Sequence, residues 1–304
     1  MTANQALFVP TDAKGVQHHL EADLGWPLPA GGREGDWIGP AESGPQAGRP
    51  LPLLTLDGLL EELGERIFVA EVRPGVTTSD HEPGVVTADS ARLARETAWS
   101  VHEAANFALD CAEHVLAEPT GLKLHSGATL EEVMSAARSW LDNSGGDTGL
   151  LGRVSRIATA RRLRRRGDEV GDLAFAIMLE DESEDLDAME DPDWEAVAAV
   201  RDAVLSAVEA LRHDAAPQLL ESENTRYEED NTGLDSLPEP VDTPWGSFIG
   251  GRRAGVVPAH VAARDAAGRA REAASKANGA EAGAAERSWQ LERLRAALGL
   301  ADSL

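Results

Sequence analysis

The sequence predicts a mainly α-helical protein: a helical bundle preceded by a loop-rich N-terminal lobe with little or short β structure. Beyond residue 89, small and aliphatic side chains recur at helical spacing, and Ala and Leu favour helix by propensity. Aromatic residues make up only 4% of the chain, which suits closely approaching helices better than a β-sandwich. Prolines and glycines crowd residues 25–52, Pro27, Pro29, Gly31, Gly32 and Gly35 among them, and such density opposes long regular elements.

Taken in order, residues 1–88 form the loop-rich lobe, with a short helix expected over Leu56–Gly64 and a strand over Ile67–Val72. A helix is expected over 89–117, because Ala94, Val101, Ala105, Ala108, Ala112, Val115 and Leu116 fall on one arc. Gly121–Gly127 breaks the pattern. Thr129 and Glu132 then make a capping box, the hydroxyl meeting an N3 amide while the glutamate reaches back to the cap. Leu130, Val133, Met134, Ala137, Trp140 and Leu141 supply the buried face of that helix, and Asn143-Ser-Gly-Gly146 ends it.

The next helical stretch runs from about 149 to 182, either split at Gly167 or weakened there by about 1 kcal/mol relative to alanine. Asp191-Pro192 reads as an N-cap followed by proline at the first helical position. Val197, Val200, Val204, Val208 and Leu211 are its core stripe. Residues 89–220 are thus the helical core and 221–256 a long connection rich in Asp, Glu, Pro and Gly. Residues 257–304 are a C-terminal helical segment packing on that core, with Asp265/Arg269 and Glu272/Lys276 as i,i+4 pairs and interruptions at Gly279 and Gly283.

Charge narrows the function classes. Fifty-three acids against 28 bases give a formal net charge of −25, which repels nucleic acid and anionic membrane surfaces. Lysine occurs only at 14, 123 and 276, so arginine carries the positive charge, a composition like that of GC-rich actinobacterial genomes. The single cysteine, Cys111, cannot form an internal disulfide and fits a reducing cytoplasm. Met1–Pro10 has neither a basic n-region nor a long apolar run, so no secretory signal is expected. The longest apolar runs, such as Leu173–Leu179, fall short of the roughly 20 residues that span a bilayer. A cytoplasmic location is therefore expected.

Against this acidic background, residues 153–166 carry seven arginines and no acid, and residues 180–195 carry ten acids. Arg161, Arg162, Arg165 and Arg166 could clamp an acidic partner or phosphate, because guanidinium forks bind oxyanions bidentately. The simpler reading is that they pair with the acidic run of the same chain, since acids outnumber bases almost two to one. A second candidate is the loop Thr243–Arg253, where Trp245, Phe248, Arg252 and Arg253 have the residue types of binding hot spots. Its other reading is a tether that pins the long connection.

The third candidate is the polar face of the 89–117 helix, formed by Trp99, Glu103, Asn106, Asp110 and His114. Asp110 and His114, four residues apart, could share a metal with Glu169 and Asp172 from another helix. The simpler reading is a solvated face. No Gly-x-Ser-x-Gly, Cys-x-x-Cys or His-Glu-x-x-His motif occurs, which removes most support for hydrolase triads and zinc sites.

Two resemblances add expectations. Residues 103–143, through Phe107, Ala108, Cys111, Ala112, Glu113, Val115, Leu116, Ala137, Arg138 and Trp140, resemble the opening of a small all-helical immunity-protein domain of actinobacteria. That likeness implies helical packing and a toxin-neutralising or other binding role. Residues 168–177 look like the Glu-x-x-Asp helix of the all-α nucleoside triphosphate pyrophosphatases, which implies magnesium held by Glu169 and Asp172.

The preferred expectation is a non-enzymatic helical module without a cofactor that binds another protein of basic character, either immunity-like or a subunit of a homo- or hetero-oligomeric assembly. The alternative is a magnesium-dependent all-α hydrolase of a phosphorylated small molecule.

Overall fold

The computed structural model describes residues 6–19, 22–39, 50–73, 77–78, 83–116, 124, 127–142, 150–152, 154, 157–158, 194–215, 241–243, 246–248 and 257–300. The chain divides into two compact units, Met1–Glu103 with Leu291–Leu304, and Ala104–Gln290.

The first unit is built on strands. β1 (Leu7–Thr11), β2 (Val16–His19), β3 (Ala22–Gly25) and β4 (Leu51–Leu54) precede the one-turn helix α1 (Leu56–Leu59). β5 (Arg66–Val72), β6 (Thr77–Thr78), β7 (Val85–Ala88) and β8 (Ala91–Glu96) follow. Six of these form one antiparallel sheet in the order β6-β7-β4-β1-β5-β8, and β2 and β3 make a separate hairpin. The mainly-α expectation is therefore wrong, and so is the picture of an N-terminal lobe with little or short β structure.

The reason lies in burial. Both faces of the central strands are covered, so Leu7, Phe8 and Val9 are all buried, as are Leu51, Leu53 and Leu54. Such strands read as short apolar runs without the period-two alternation that marks a half-exposed strand. One face gathers Leu7, Val9, Leu53, Phe68, Val86 and Leu93 with Trp26 into a core cluster. Trp26 stays buried because its Nε1 donates to Gln17 Oε1 at 3.0 Å, and Gln17 Nε2 in turn donates to the Pro52 carbonyl.

The boundary of the first long helix also moves. β8 alternates buried Ala91 and Leu93 with more exposed neighbours, and a register shift against β5 falls between Val69 and Ala70. Helix α2 (Val101–Val115) starts only after Thr97 Oγ1 bonds the Ile67 carbonyl and Ser100 Oγ accepts from the Glu103 amide. Trp99, expected on the polar helical face, precedes the helix and is buried, its Nε1 donating to the Gly64 carbonyl at 3.0 Å.

The described residues of the second unit are mainly helical, as their periodicity predicts. α3 (Leu130–Leu141) carries the expected capping box: Glu132 N donates to Thr129 Oγ1 and Thr129 N to Glu132 Oε2. Its buried face is the expected one, with Trp140 only half-buried. α4 (Trp194–Ala215) buries Val200, Val204, Val208 and Leu211. Its main partner is α5 (Ala259–Asn278), whose buried residues are seven alanines, Ala259 to Ala273. Side chains that small let the two backbones approach closely, and dispersion over the seam replaces bulk.

Gly279, at φ +85°, turns the chain into α6 (Ala280–Ala297); Gly283 lies inside that helix rather than ending it. A short hairpin, β9 (Val241–Thr243) with β10 (Gly246–Phe248), lies within the stretch expected as connection. Among the described residues no helix is long and apolar enough to cross a membrane.

Candidate functional site

The polar face of α2 is the first expected site whose geometry is on view. Asn106, Asp110 and Glu113 point to one cation from α3. Arg138 donates from Nη1 to Asn106 Oδ1 at 2.6 Å and from Nη2 to Asp110 Oδ1 at 2.7 Å, while Nε and Nη2 fork onto the Glu113 carboxylate at 2.9 and 2.6 Å. Burial alone would lower the guanidinium's pKa, yet the bonds to Glu113 and Asp110 hold it above its ordinary value. A permanent cation already sits on Asp110, so that carboxylate is engaged in joining α2 to α3.

His114, one turn on, bonds to a different partner. Its Nδ1 lies 2.5 Å from Glu286 Oε2 of α6, and its ring stacks on Trp289 with centroids 3.9 Å apart and planes within 2°. The imidazole is 43% exposed while the Glu286 side chain is 3% exposed. The buried carboxylate takes a second bond from Gln290 Nε2 at 2.8 Å, and that same nitrogen donates to the Ala267 carbonyl at 3.0 Å. Arg271 Nη1 completes the chain by donating to Gln290 Oε1 at 2.9 Å. Four side chains from α2, α5 and α6 thus satisfy one another.

Asp110 and His114 share a helix face but bond to different partners, and no group of three or more His, Cys, Asp or Glu that could hold a metal ion occurs among the described residues. Glu169 and Asp172 lie outside the described residues. So do Arg161, Arg162, Arg165 and Arg166, the acids of 180–193, Trp245, Arg252 and Arg253. Phe248 ends β10, where its backbone pairs with Val241.

A patch that the sequence reading missed lies in the first unit. The segment 33–38 is laid along the outer edge of β8: Gly35 N donates to the Leu93 carbonyl, and Ile38 and Ala91 exchange backbone bonds at 2.9 and 3.1 Å. This holds Trp37 half-buried beneath two cations, with the guanidinium carbons of Arg73 and Arg92 at 4.4 and 4.9 Å from its ring centroid. Arg92 is neutralised, donating to Glu71 through Nε and Nη2 and pairing with Glu34 through Nη1. Arg73 is exposed.

Nothing in the spacing of Trp37, Arg73 and Arg92 connects them, because only pairing of the 33–38 segment with β8, beside β5, brings them together. The available signal was residue type, an arginine just past a strand end and a tryptophan in a glycine-rich loop. Comparisons with protein-family models, with curated proteins and with solved structures found no match.

Proposed function

We propose that this chain is a protein-binding module that works by recognition rather than catalysis, and that the Trp37 patch is part of its contact surface. The observation that carries the reading is a half-buried tryptophan pinned by backbone bonds and stacked under two arginines. Tryptophan and arginine dominate binding hot spots, and side chains ordered in advance lose less entropy on contact. Support also comes from the net charge of −25, which speeds encounter with a partner of basic character. An immunity-like role, implied by the resemblance of residues 103–143, is one form such binding would take.

The test is affinity capture from native extract with the full chain and with Trp37→Ala, each confirmed folded by thermal melting. A protein retained by the wild type and lost by Trp37→Ala is expected. Equal recovery of every captured protein by both would remove the patch from the contact surface.

A further inference from the structure

The hydrogen-bond chain that starts at Arg271 ends on an exposed ring. Gln290 Nε2 donates to the Ala267 carbonyl, which fixes the orientation of that amide, so its bond to Glu286 Oε1 is also a donated one. The other oxygen of Glu286 lies 2.5 Å from His114 Nδ1. With both oxygens accepting, Glu286 is a carboxylate and the proton it shares belongs to Nδ1. The neutral imidazole then carries its lone pair on Nε2, which points away from the carboxylate in a side chain 43% exposed. Trp289 covers one face of the ring with centroids 3.9 Å apart, and an indole face steadies positive charge that develops on an imidazole. A lone pair presented to solvent and backed by a buried carboxylate through the other ring nitrogen is the arrangement that activates an imidazole.

We infer that His114 Nε2 is a nucleophilic modification site that accepts an acyl group from an uncharged, activated acyl donor. Nε2 attacks the carbonyl carbon and forms the new N–C bond, while the bond to the leaving oxygen breaks with its electron pair. The Nδ1 proton passes through Glu286 Oε2 to water, which leaves a neutral N-acylimidazole. Gln290, itself held by Arg271, keeps the carboxylate in place throughout. The donor is uncharged because the field of a chain at −25 repels anionic donors such as phosphoryl compounds. No residue of the Trp37 patch takes part.

Diethyl pyrocarbonate is an uncharged acyl donor whose product, a carbethoxyimidazole, survives peptide mapping. The full chain is labelled above the pH range in which imidazole titrates, and the rate at each of the eight histidines is read by mass spectrometry. His114 should label about tenfold faster than His102, which is also exposed on α2, the size expected from one hydrogen bond to a charged group. Glu286→Gln, confirmed folded by thermal melting, removes the charge while keeping the length of the side chain, and should bring His114 close to the His102 rate. Phosphoramidate, an anionic phosphoryl donor, should show no preference for His114.

A His114 rate no greater than that of His102 in the wild type overturns the inference, and that comparison needs no variant. A fast rate that survives Glu286→Gln in a folded chain overturns it as well. Preference for His114 by phosphoramidate in place of diethyl pyrocarbonate would overturn the acyl assignment. The order of labelling rates is independent of capture through Trp37, so failure of either leaves the other standing.

Discussion

Glu286 Oε2 lies 2.5 Å from His114 Nδ1, so a carboxylate withdrawn from water is matched to an imidazole that remains 43% exposed. That carboxylate also accepts from Gln290, so truncating it disturbs two partners at once. Glu286→Ala is expected to cost about 2 kcal/mol, because two polar groups lose a buried acceptor. Urea unfolding of the single and double variants with His114→Ala should return a coupling energy of about 1 kcal/mol. Strict additivity would mean that the pair is not formed in solution.

Arg138 gathers Asn106, Asp110 and Glu113 onto α3. Replacing it with alanine removes the cation that these three side chains share, Asp110, 15% exposed, among them. We expect Arg138→Ala to lower stability by about 3 kcal/mol, in the range for breaking one side of a partly buried charge pair. Lysine keeps the charge but has no planar fork, so Arg138→Lys should restore only part of the loss. A denaturation midpoint unchanged by Arg138→Ala would contradict the clamp.

Gly58 of α1 and Gly84 before β7 touch backbone to backbone. A Cβ built on Gly58 would stand 2.4 Å from the Gly84 carbonyl oxygen, and Gly84 itself has φ +84°. Gly58→Ala must therefore push the two segments apart, at about 2 kcal/mol by analogy with overpacked cores. Gly25→Ala serves as the control, since its Cβ would meet nothing within 4 Å. Similar melting temperatures for the two variants would show that α1 does not pack as described.

Two exposed pairs make opposite contributions with pH. The bidentate hydrogen bond from Arg66 holds Glu96 below its ordinary 4.5, so the stability it adds is present above that value and lost as pH falls through the lowered one. The hydrogen bond to Asp23 raises His18 above 6.5, so its contribution is complete below that value and fades as pH rises through the raised one. Unfolding followed from acid to mildly alkaline pH should show Glu96→Gln flattening the acid limb and His18→Gln flattening the limb above pH 6.5. Identical profiles for His18→Gln and the wild type would remove that residue from the balance.

The legible parts of the fold were those whose signal is local. The Thr129–Glu132 capping box needs only its own four residues and appeared as read. The valine stripe of α4 needs only one helix and its period. Strand β5 was recognised at Ile67–Val72 because buried and exposed residues alternate along much of it. By contrast Leu7–Thr11 and Leu51–Leu54 are hidden on both faces, and an all-buried strand leaves no period to detect.

The candidate site was less legible still. Asp110 and His114 do lie on one polar helical face, but their partners, Arg138, Glu286 and Trp289, come 28, 172 and 175 residues later in the chain. Arg269, expected to pair with Asp265, pairs with Glu272 at 2.6 Å instead.

By itself the sequence determined the charge, the helical character of α3 to α6 and the capped start of α3, since caps and periodicity act over a few residues. Only the tertiary structure decided that the first hundred residues close into a sheet, that Arg138 occupies the acids of α2, and that Trp37 meets Arg73. Those outcomes depend on which distant segments pair, and the free energy of such pairing comes from burial and hydrogen bonds shared between segments, which no single stretch of chain records.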